Sequence, residues 1–455
     1  MARHNHSRRR FLRTGSRTLL GAGLALGADP ILTLAHAADA PAVDANEYRA
    51  LVCLYLKGGC DGFSLVVPLG GERHDAYANS RGDLAVGQQQ LRPFARASLG
   101  HGMHGAAAAL GELVDDGRMA IVANVGNLIE PTSKMQYEER AVSLPAQLFS
   151  HNDQTIQWMQ QQGVNRGDQG WGARTAGFLA PLQERDYLTS ISLDGSNHWQ
   201  SGFGQRPYSI TARGVLSYDG MDPDSAWERP RREIFQRTLT HPRRHLFTRT
   251  YAELQQRAMH VTTELGQVLE ANNGLITEPP GEETLSHKFA MVARLIAAHD
   301  TLGMRRQVFY LDMDGFDVHD KQNRELPELF SELADGLAFF QQELANIGME
   351  HQVTTFTASD FGRALTSNGD GTDHGWGNHH LVMGGAVQGN AIYGQVPLLH
   401  KDSDDSVQNG RILPTTATAQ YAATLLRWIG LDETQLDTAL PNLANFGTRD
   451  LGFMG

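Results

Sequence analysis

An α/β sandwich around a mostly parallel sheet is the fold class that this sequence predicts. Three observations predict it. Short apolar runs bounded by glycines recur along the chain and alternate with segments of helical periodicity. These runs are apolar at consecutive positions, the pattern of strands covered on both faces. Strands that alternate with helices imply parallel neighbours with helices packed on either side.

The elements follow in chain order. Ala50 to Leu56 is a first strand, ending at Lys57-Gly58-Gly59-Cys60-Asp61-Gly62. Gly105 to Val114 has helical spacing and Met119 to Val125 is a second strand, which together make a β-α-β unit. Asp153 to Gln161 reads as a helix that begins near Ser150. Arg213 to Arg249 is Arg-rich and irregular, and it marks an insertion or cap over residues 200–250. Phe247 to Ala271 and Glu283 to Met304 are two long helices. Gln307 to Leu311 and Gln352 to Thr357 are further strands, with the periodic helix Leu326 to Ile347 between them. Gln420 to Ile429 is a closing helix. Length alone suggests about three domains at roughly 150 residues each. No repeat or low-complexity linker divides the chain, so residues 38–455 read as one domain.

Composition narrows the function. Of 455 residues, 41 % are hydrophobic and 20 % charged, which excludes disordered and fibrous classes. Two cysteines, Cys53 and Cys60, cannot build a disulfide scaffold. A net charge of −12 without a basic block argues against nucleic acid as a partner. The N-terminus departs from this balance. Ser7-Arg8-Arg9-Arg10-Phe11-Leu12-Arg13 is a twin-arginine pattern, followed by the apolar stretch Thr18 to Ala28 and the small-residue site Ala35-His36-Ala37. Residues 1–37 therefore read as a bacterial export signal, with a basic tail or surface helix as the plainer alternative. The reading implies the twin-arginine translocase as a transient partner and a periplasmic or secreted location. The apolar segment is too short to span a bilayer comfortably, so no permanent membrane span is expected. The signal holds six arginines and one aspartate, which leaves −17 on the rest of the chain.

Metal-capable side chains gather in the loops after strands, where sites form in parallel α/β sheets. The first strand ends in Cys60-Asp61. The strand at 307–311 runs into Asp312-Met313-Asp314-Gly315-Phe316-Asp317-Val318-His319-Asp320. The strand at 352–357 runs into Ser359-Asp360-Phe361-Gly362-Arg363, followed by Asp373-His374 and His379-His380 among glycines. Carboxylates and imidazoles converging from distant sequence are what a divalent ion needs. Each group has a plainer reading. Asp61 alone is an ordinary turn or cap residue, and Asp317 with His319 an ordinary polar loop. Cys60 is a thiol nucleophile, a ligand or simply a small buried side chain. The signatures of P-loop NTPases, dinucleotide-binding dehydrogenases and α/β-hydrolases are absent.

Together, LKGGCDGFSLVVPL, LFSHNDQ, MDGFDVHDKQ, ASDFGR and NGDGTDHGWGNHHLVMGGAVQGNAIYG resemble the domain-of-unknown-function family 1501. That family resembles a distant branch of the alkaline phosphatase and sulfatase superfamily. The resemblance implies an alkaline-phosphatase-like three-layer sandwich and a site for one or two divalent ions (Zn, Ca, Mg or Mn). It implies Asp61, Asp317, His319, Asp360 and His374 as ligands. Phe361 stands where the superfamily usually has a metal-binding His or Asn, so one ligand is missing or comes from His379 or His380. His379 and His380 point to opposite faces if Val382 lies in a strand, and His374 ranks ahead of His379. The nucleophile has no clear match. Ser150 is the first choice, with an ordinary N-cap as its other reading. His151 is a proton donor or a further ligand, and Arg363 a partner for anionic oxygens. The expected activity is hydrolysis or transfer of a phosphate or sulfate ester on a small-molecule or glycan substrate. The alternative is a non-catalytic, metal-stabilised periplasmic binding or assembly protein.

Overall fold

The computed structural model describes residues 47–161, 168–202, 206–216, 220–221, 225–242, 245–282 and 284–455. The twin-arginine segment and its cleavage site lie outside the described residues. The elements that position the site begin with β1 (Arg49–Leu56), α1 (Gly71–Arg81), α2 (Ala108–Asp115) and β2 (Met119–Gly126). Next come α3 (His151–Gln160), α4 (Trp171–Leu179), β3 (Ser190–Ser192), β4 (Tyr208–Thr211) and β5 (Gly214–Val215). A helical pair, α5 (Arg229–Thr240) and α6 (Leu246–Ala271), is followed by α7 (Leu285–Ala297), β6 (Arg306–Met313) and α8 (Gln322–Asn346). The last part holds β7 (Val353–Ser359), β8 (Arg363–Ser367), β9 (Thr372–His374), β10 (Asn378–Met383), β11 (Ile392–Tyr393), β12 (Thr416–Ala417) and α9 (Thr418–Ile429).

Among the described residues one 10-stranded sheet organises the fold, in the order β11-β2-β10-β7-β1-β6-β3-β4-β5, with β12 also on β2. β7, β1, β6, β3 and β4 pair in parallel. β10 runs antiparallel between β7 and β2, and β5 runs antiparallel to β4. The expected α/β class is therefore what the chain forms. Seven of the eight residues of β1 are buried, at roughly 1.5–3 kcal/mol for each large apolar side chain. Ala50, Val52, Leu54 and Leu56 face one layer, with Leu110 of α2, Phe289 of α7 and Phe330 of α8. Leu51, Cys53 and Tyr55 face the other, with Trp158 of α3, Trp171 of α4 and Tyr421 of α9. That alternation makes three layers and explains the unbroken apolar run in the sequence.

Three local expectations need correction. β1 and β2 are not adjacent, because β7 and β10 stand between them. The helix expected to reach Met304 stops at Ala297, and Gly303 turns at φ +64° just before β6. The stretch 213–249 is not irregular throughout, since it contains α5. Pro230 sits in the first turn of α5, where proline costs no hydrogen bond. Leu239 and Phe235 of that helix pack on Ala252 and Met259 of α6, which suffices for a small core of its own. Among the described residues, no helix is long and apolar enough to cross a membrane.

Candidate metal centre

β1, β6 and β7 are parallel neighbours, so their carboxyl ends open on one edge of the sheet. Asp317 and His319 follow β6, and Asp360 follows β7. His151 begins α3, and His374 ends β9, which pairs with β8 in a hairpin. Two glycines allow the loops to meet. A Cβ on Gly58, at φ +110°, would lie 2.4 Å from the Asp317 backbone nitrogen. One on Gly371 would lie 2.2 Å from the His319 carbonyl carbon.

Four side chains converge there. His151 Nε2 and His374 Nε2 are 3.0 Å apart, and His319 Nε2 is 3.0 Å from His374 Nε2. Asp317 Oδ1 lies 3.0 Å from His319 Nε2 and 3.3 Å from His374 Nε2. Its Oδ2 lies 3.3 Å from His151 Nε2. His374, His151 and Asp317 are each held from behind. His374 Nδ1 donates to the Phe149 carbonyl at 2.6 Å. A carbonyl only accepts, so the hydrogen sits on Nδ1 and the Nε2 lone pair faces the cluster. Phe149 adopts φ +74°, a strained conformation for a bulky residue, and that strain aims its carbonyl at the ring. His151 Nδ1 meets Asp360 Oδ2 at 2.6 Å, and Asp360 Oδ1 accepts from the Tyr55 hydroxyl at 2.5 Å. Asp373 Oδ1 lies 3.8 Å from His319 Nδ1. Arg363 Nη1 donates to Asp317 Oδ1 at 2.9 Å.

Charge follows from these contacts. The hydrogen bond to Asp360 raises the His151 pKa above its ordinary value, against the opposing effect of burial. Burial lowers that of His374, against the Phe149 carbonyl. Burial pushes Asp317 upwards, but the Arg363 hydrogen bond and the neighbouring cations outweigh it and keep the carboxyl below its usual range. The donor set is thus an anion and imidazoles with oriented outer nitrogens. The spacing also suits an ion. Ligand atoms about 2.0–2.1 Å from a zinc-sized ion stand roughly 2.9 Å apart in octahedral and 3.4 Å apart in tetrahedral geometry. The separations here run from 3.0 to 3.3 Å. His151, Asp317 and His374 can each offer one atom within 4.8 Å of the others, so they form a group able to hold a metal ion.

Other residues singled out in the sequence stand elsewhere. Asp61 is fully buried, caps the turn Gly62–Leu65, and pairs with Arg81 Nη2 of α1 at 2.6 Å. Its second oxygen accepts from Ser64 Oγ at 2.8 Å and Gln322 Nε2 at 3.0 Å. It is an internal ion pair rather than part of the cluster. His379 is buried against Phe63, its Nδ1 accepts from the Asn124 amide at 3.2 Å, and burial lowers its pKa to about 3. His380 projects to the other side of β10, against Tyr421 and Thr357 Oγ1. Asp360 stands behind His151 with both oxygens engaged, not beside Asp317. Ser150 Oγ donates to Asp153 Oδ2 at 2.7 Å. Arg363 is buried, and its guanidinium is spent on Asp317, Thr372 and the carbonyls of Gly58 and Val318. It braces a cluster member instead of facing a ligand. The Cys60 thiol is buried, which pushes its pKa up. Phe361, where a ligand was missed, stacks on His374 with ring centres 4.7 Å apart.

Sequence reasoning overlooked Tyr55 and the Phe149 carbonyl. Tyr55 had a signal, because a hydroxyl inside a buried apolar strand must find a partner. The cluster borders a cavity of about 800 Å³, whose lining also includes Lys57, Asp194, Tyr310, Asp312 and Asp314. Lys57 pairs with Asp314 at 3.0 Å, and Lys288 with Asp194 at 2.6 Å.

Residues 48–440 match the model of a family described as a protein of unknown function, DUF1501. No curated protein matches. Solved structures similar to this chain include the PsFucS1 sulfatase from Pseudoalteromonas sp., at 12 % identity and a TM-score of 0.36, covering 85 % of this chain and 69 % of that one. The lipoteichoic acid synthase LtaP from Listeria monocytogenes matches at 8 % identity and a TM-score of 0.35, covering 90 % and 75 %. A mutant of the alkaline phosphatase PafA matches at 10 % identity and a TM-score of 0.29, covering 70 % and 64 %.

Proposed function

We propose that this chain, which belongs to the DUF1501 family, is an exported metal-dependent hydrolase acting on a phosphate or sulfate ester. One observation carries the reading: three imidazoles and a carboxylate converge, with His151, His374 and Asp317 braced from behind and His151 and Asp317 lining a cavity. His151, His374 and Asp317 would hold the ion, with His319 beside them. A divalent ion in such a set supplies polarisation of an ester oxygen and a lowered pKa for a bound water. Asp360 and Tyr55 fix the His151 ring, and Arg363 fixes Asp317. Lys57 is the cationic side chain of the cavity wall, and in this reading it meets the anionic oxygens of the ester. Ser150 is engaged by Asp153, so water rather than serine is the attacking group and hydrolysis is favoured over transfer.

A second reading has its own support. Arg363 is wholly occupied and Ser150, next to His151, is engaged by Asp153, as a metal-stabilised binding or assembly protein would also have it. Turnover separates the two. Metal-loaded protein is assayed on nitrophenyl phosphate, bis-nitrophenyl phosphate and nitrophenyl sulfate beside Asp317→Asn. The hydrolase reading expects turnover that Asp317→Asn abolishes. Background rates on all three, with a metal that only raises the melting temperature, would support the second reading.

A further inference from the structure

We infer that the α5–α6 hairpin is a docking surface for an anionic lipid bilayer. The N-terminal half of this hairpin stands apart from the sheet. Its core is the small group of Leu239, Ala252, Met259 and Phe235, whereas Leu265 and Leu269 farther along α6 join the main core. Among the described residues, nine large hydrophobic side chains are exposed, and six belong to the hairpin and its approach: Leu216, Trp227, Ile234, Leu246, Phe247 and Tyr251. Trp227 is 92 % exposed and Phe247 77 %. Single exposed apolar residues are ordinary, but a group of this size marks an interaction surface.

Charge chooses the partner. Residues 229–249 carry seven arginines against one glutamate, in a chain of net −12. Arg229, Arg231, Arg232, Arg237 and Arg249 are described, and among the described residues only Arg249 pairs with a carboxylate, Glu253 at 3.9 Å. Arginine interleaved with Trp, Phe, Tyr and Leu is the composition of helices that lie in a membrane interface. An anionic bilayer attracts this hairpin and repels the acidic remainder, so the charge distribution also orients the molecule on the surface.

Trp227 reports on the surface directly, because the other five tryptophans are buried. Its emission is the difference between the full chain and Trp227→Phe, recorded with vesicles of phosphatidylcholine alone and mixed with phosphatidylglycerol. The expected result is a blue shift, and quenching by brominated acyl chains, on the anionic vesicles only and reversed by salt. Arg231→Gln with Arg237→Gln should weaken partitioning about thirtyfold, at roughly a factor of five for each arginine near an anionic surface. Phe247→Ser with Tyr251→Ser should abolish the brominated-lipid quenching. Trp227 emission that stays solvent-like on both vesicles, or shifts equally on both, overturns the proposal. So does a shift that depends on protein concentration without vesicles, which would assign the surface to a second copy of the chain. Should a variant fail to fold, the Trp227 signal of the unaltered chain still decides.

Discussion

Asp360→Asn should cost metal affinity about 10- to 100-fold, or about 1.4–2.7 kcal/mol, the usual effect of altering an outer-shell partner. The magnitude follows from where Asp360 stands. Its side chain is 3 % exposed and touches His151 Nδ1 at 2.6 Å and Tyr55 at 2.5 Å. Asparagine has the same shape and can keep the Tyr55 hydrogen bond through its carbonyl oxygen. Its amide nitrogen then donates to His151 Nδ1, which drives the imidazole hydrogen to Nε2, into the cluster. The lost negative charge also lowers the basicity of the ring. By contrast, Asp317→Asn and His374→Ala remove a direct donor and should leave no tightly bound ion. Competition with a chromophoric chelator for zinc and manganese measures all three variants. An affinity unchanged in Asp360→Asn would refute the bracing role. A loss as large as that of His374→Ala would make Asp360 a ligand and refute its placement behind His151.

Further outcomes can be checked separately. Asp61→Ala strands Arg81 in the interior and should cost about 3–5 kcal/mol in urea unfolding while metal content is unchanged, and a folded but metal-free variant would contradict this. His379 and His380 are held neutral by burial, with pKa values lowered to about 3. The unfolded chain therefore binds their protons first, and the stability they allow, complete above about pH 6.5, is lost as pH falls, by about 2 kcal/mol for each between pH 7 and pH 5. His380→Gln should flatten the dependence by that amount, and an unchanged slope would count against the assignment. Arg8→Lys with Arg9→Lys should leave the precursor in the cytoplasm on fractionation, and continued export would dismiss the twin-arginine reading.

Much of the architecture is legible in the sequence because burial on both faces writes itself as unbroken apolar runs. Ala50 to Leu56 and Met119 to Val125 read correctly for that reason. Strand order is less legible, since β7 and β10 enter between β1 and β2 from sequence more than 200 residues away. The residue types of the cluster are visible in the loops after β6 and in the glycine-rich loop. Asp61 and Arg363 misled because sequence shows a charge but not its partner. Arg81 lies 20 positions from Asp61, and Asp317 lies 46 from Arg363. The Phe149 carbonyl leaves no trace in residue identity at all, because it acts through backbone conformation.

Metal content of the purified chain, determined by elemental analysis beside single alanine variants, decides whether the cluster is a metal centre. A metal centre at His151, Asp317 and His374 should show a stoichiometric divalent ion in the unaltered protein, lost in His151→Ala and His374→Ala and retained in His379→Ala. An ion that survives His374→Ala but disappears with His379→Ala, or no stoichiometric ion after reconstitution, would contradict it.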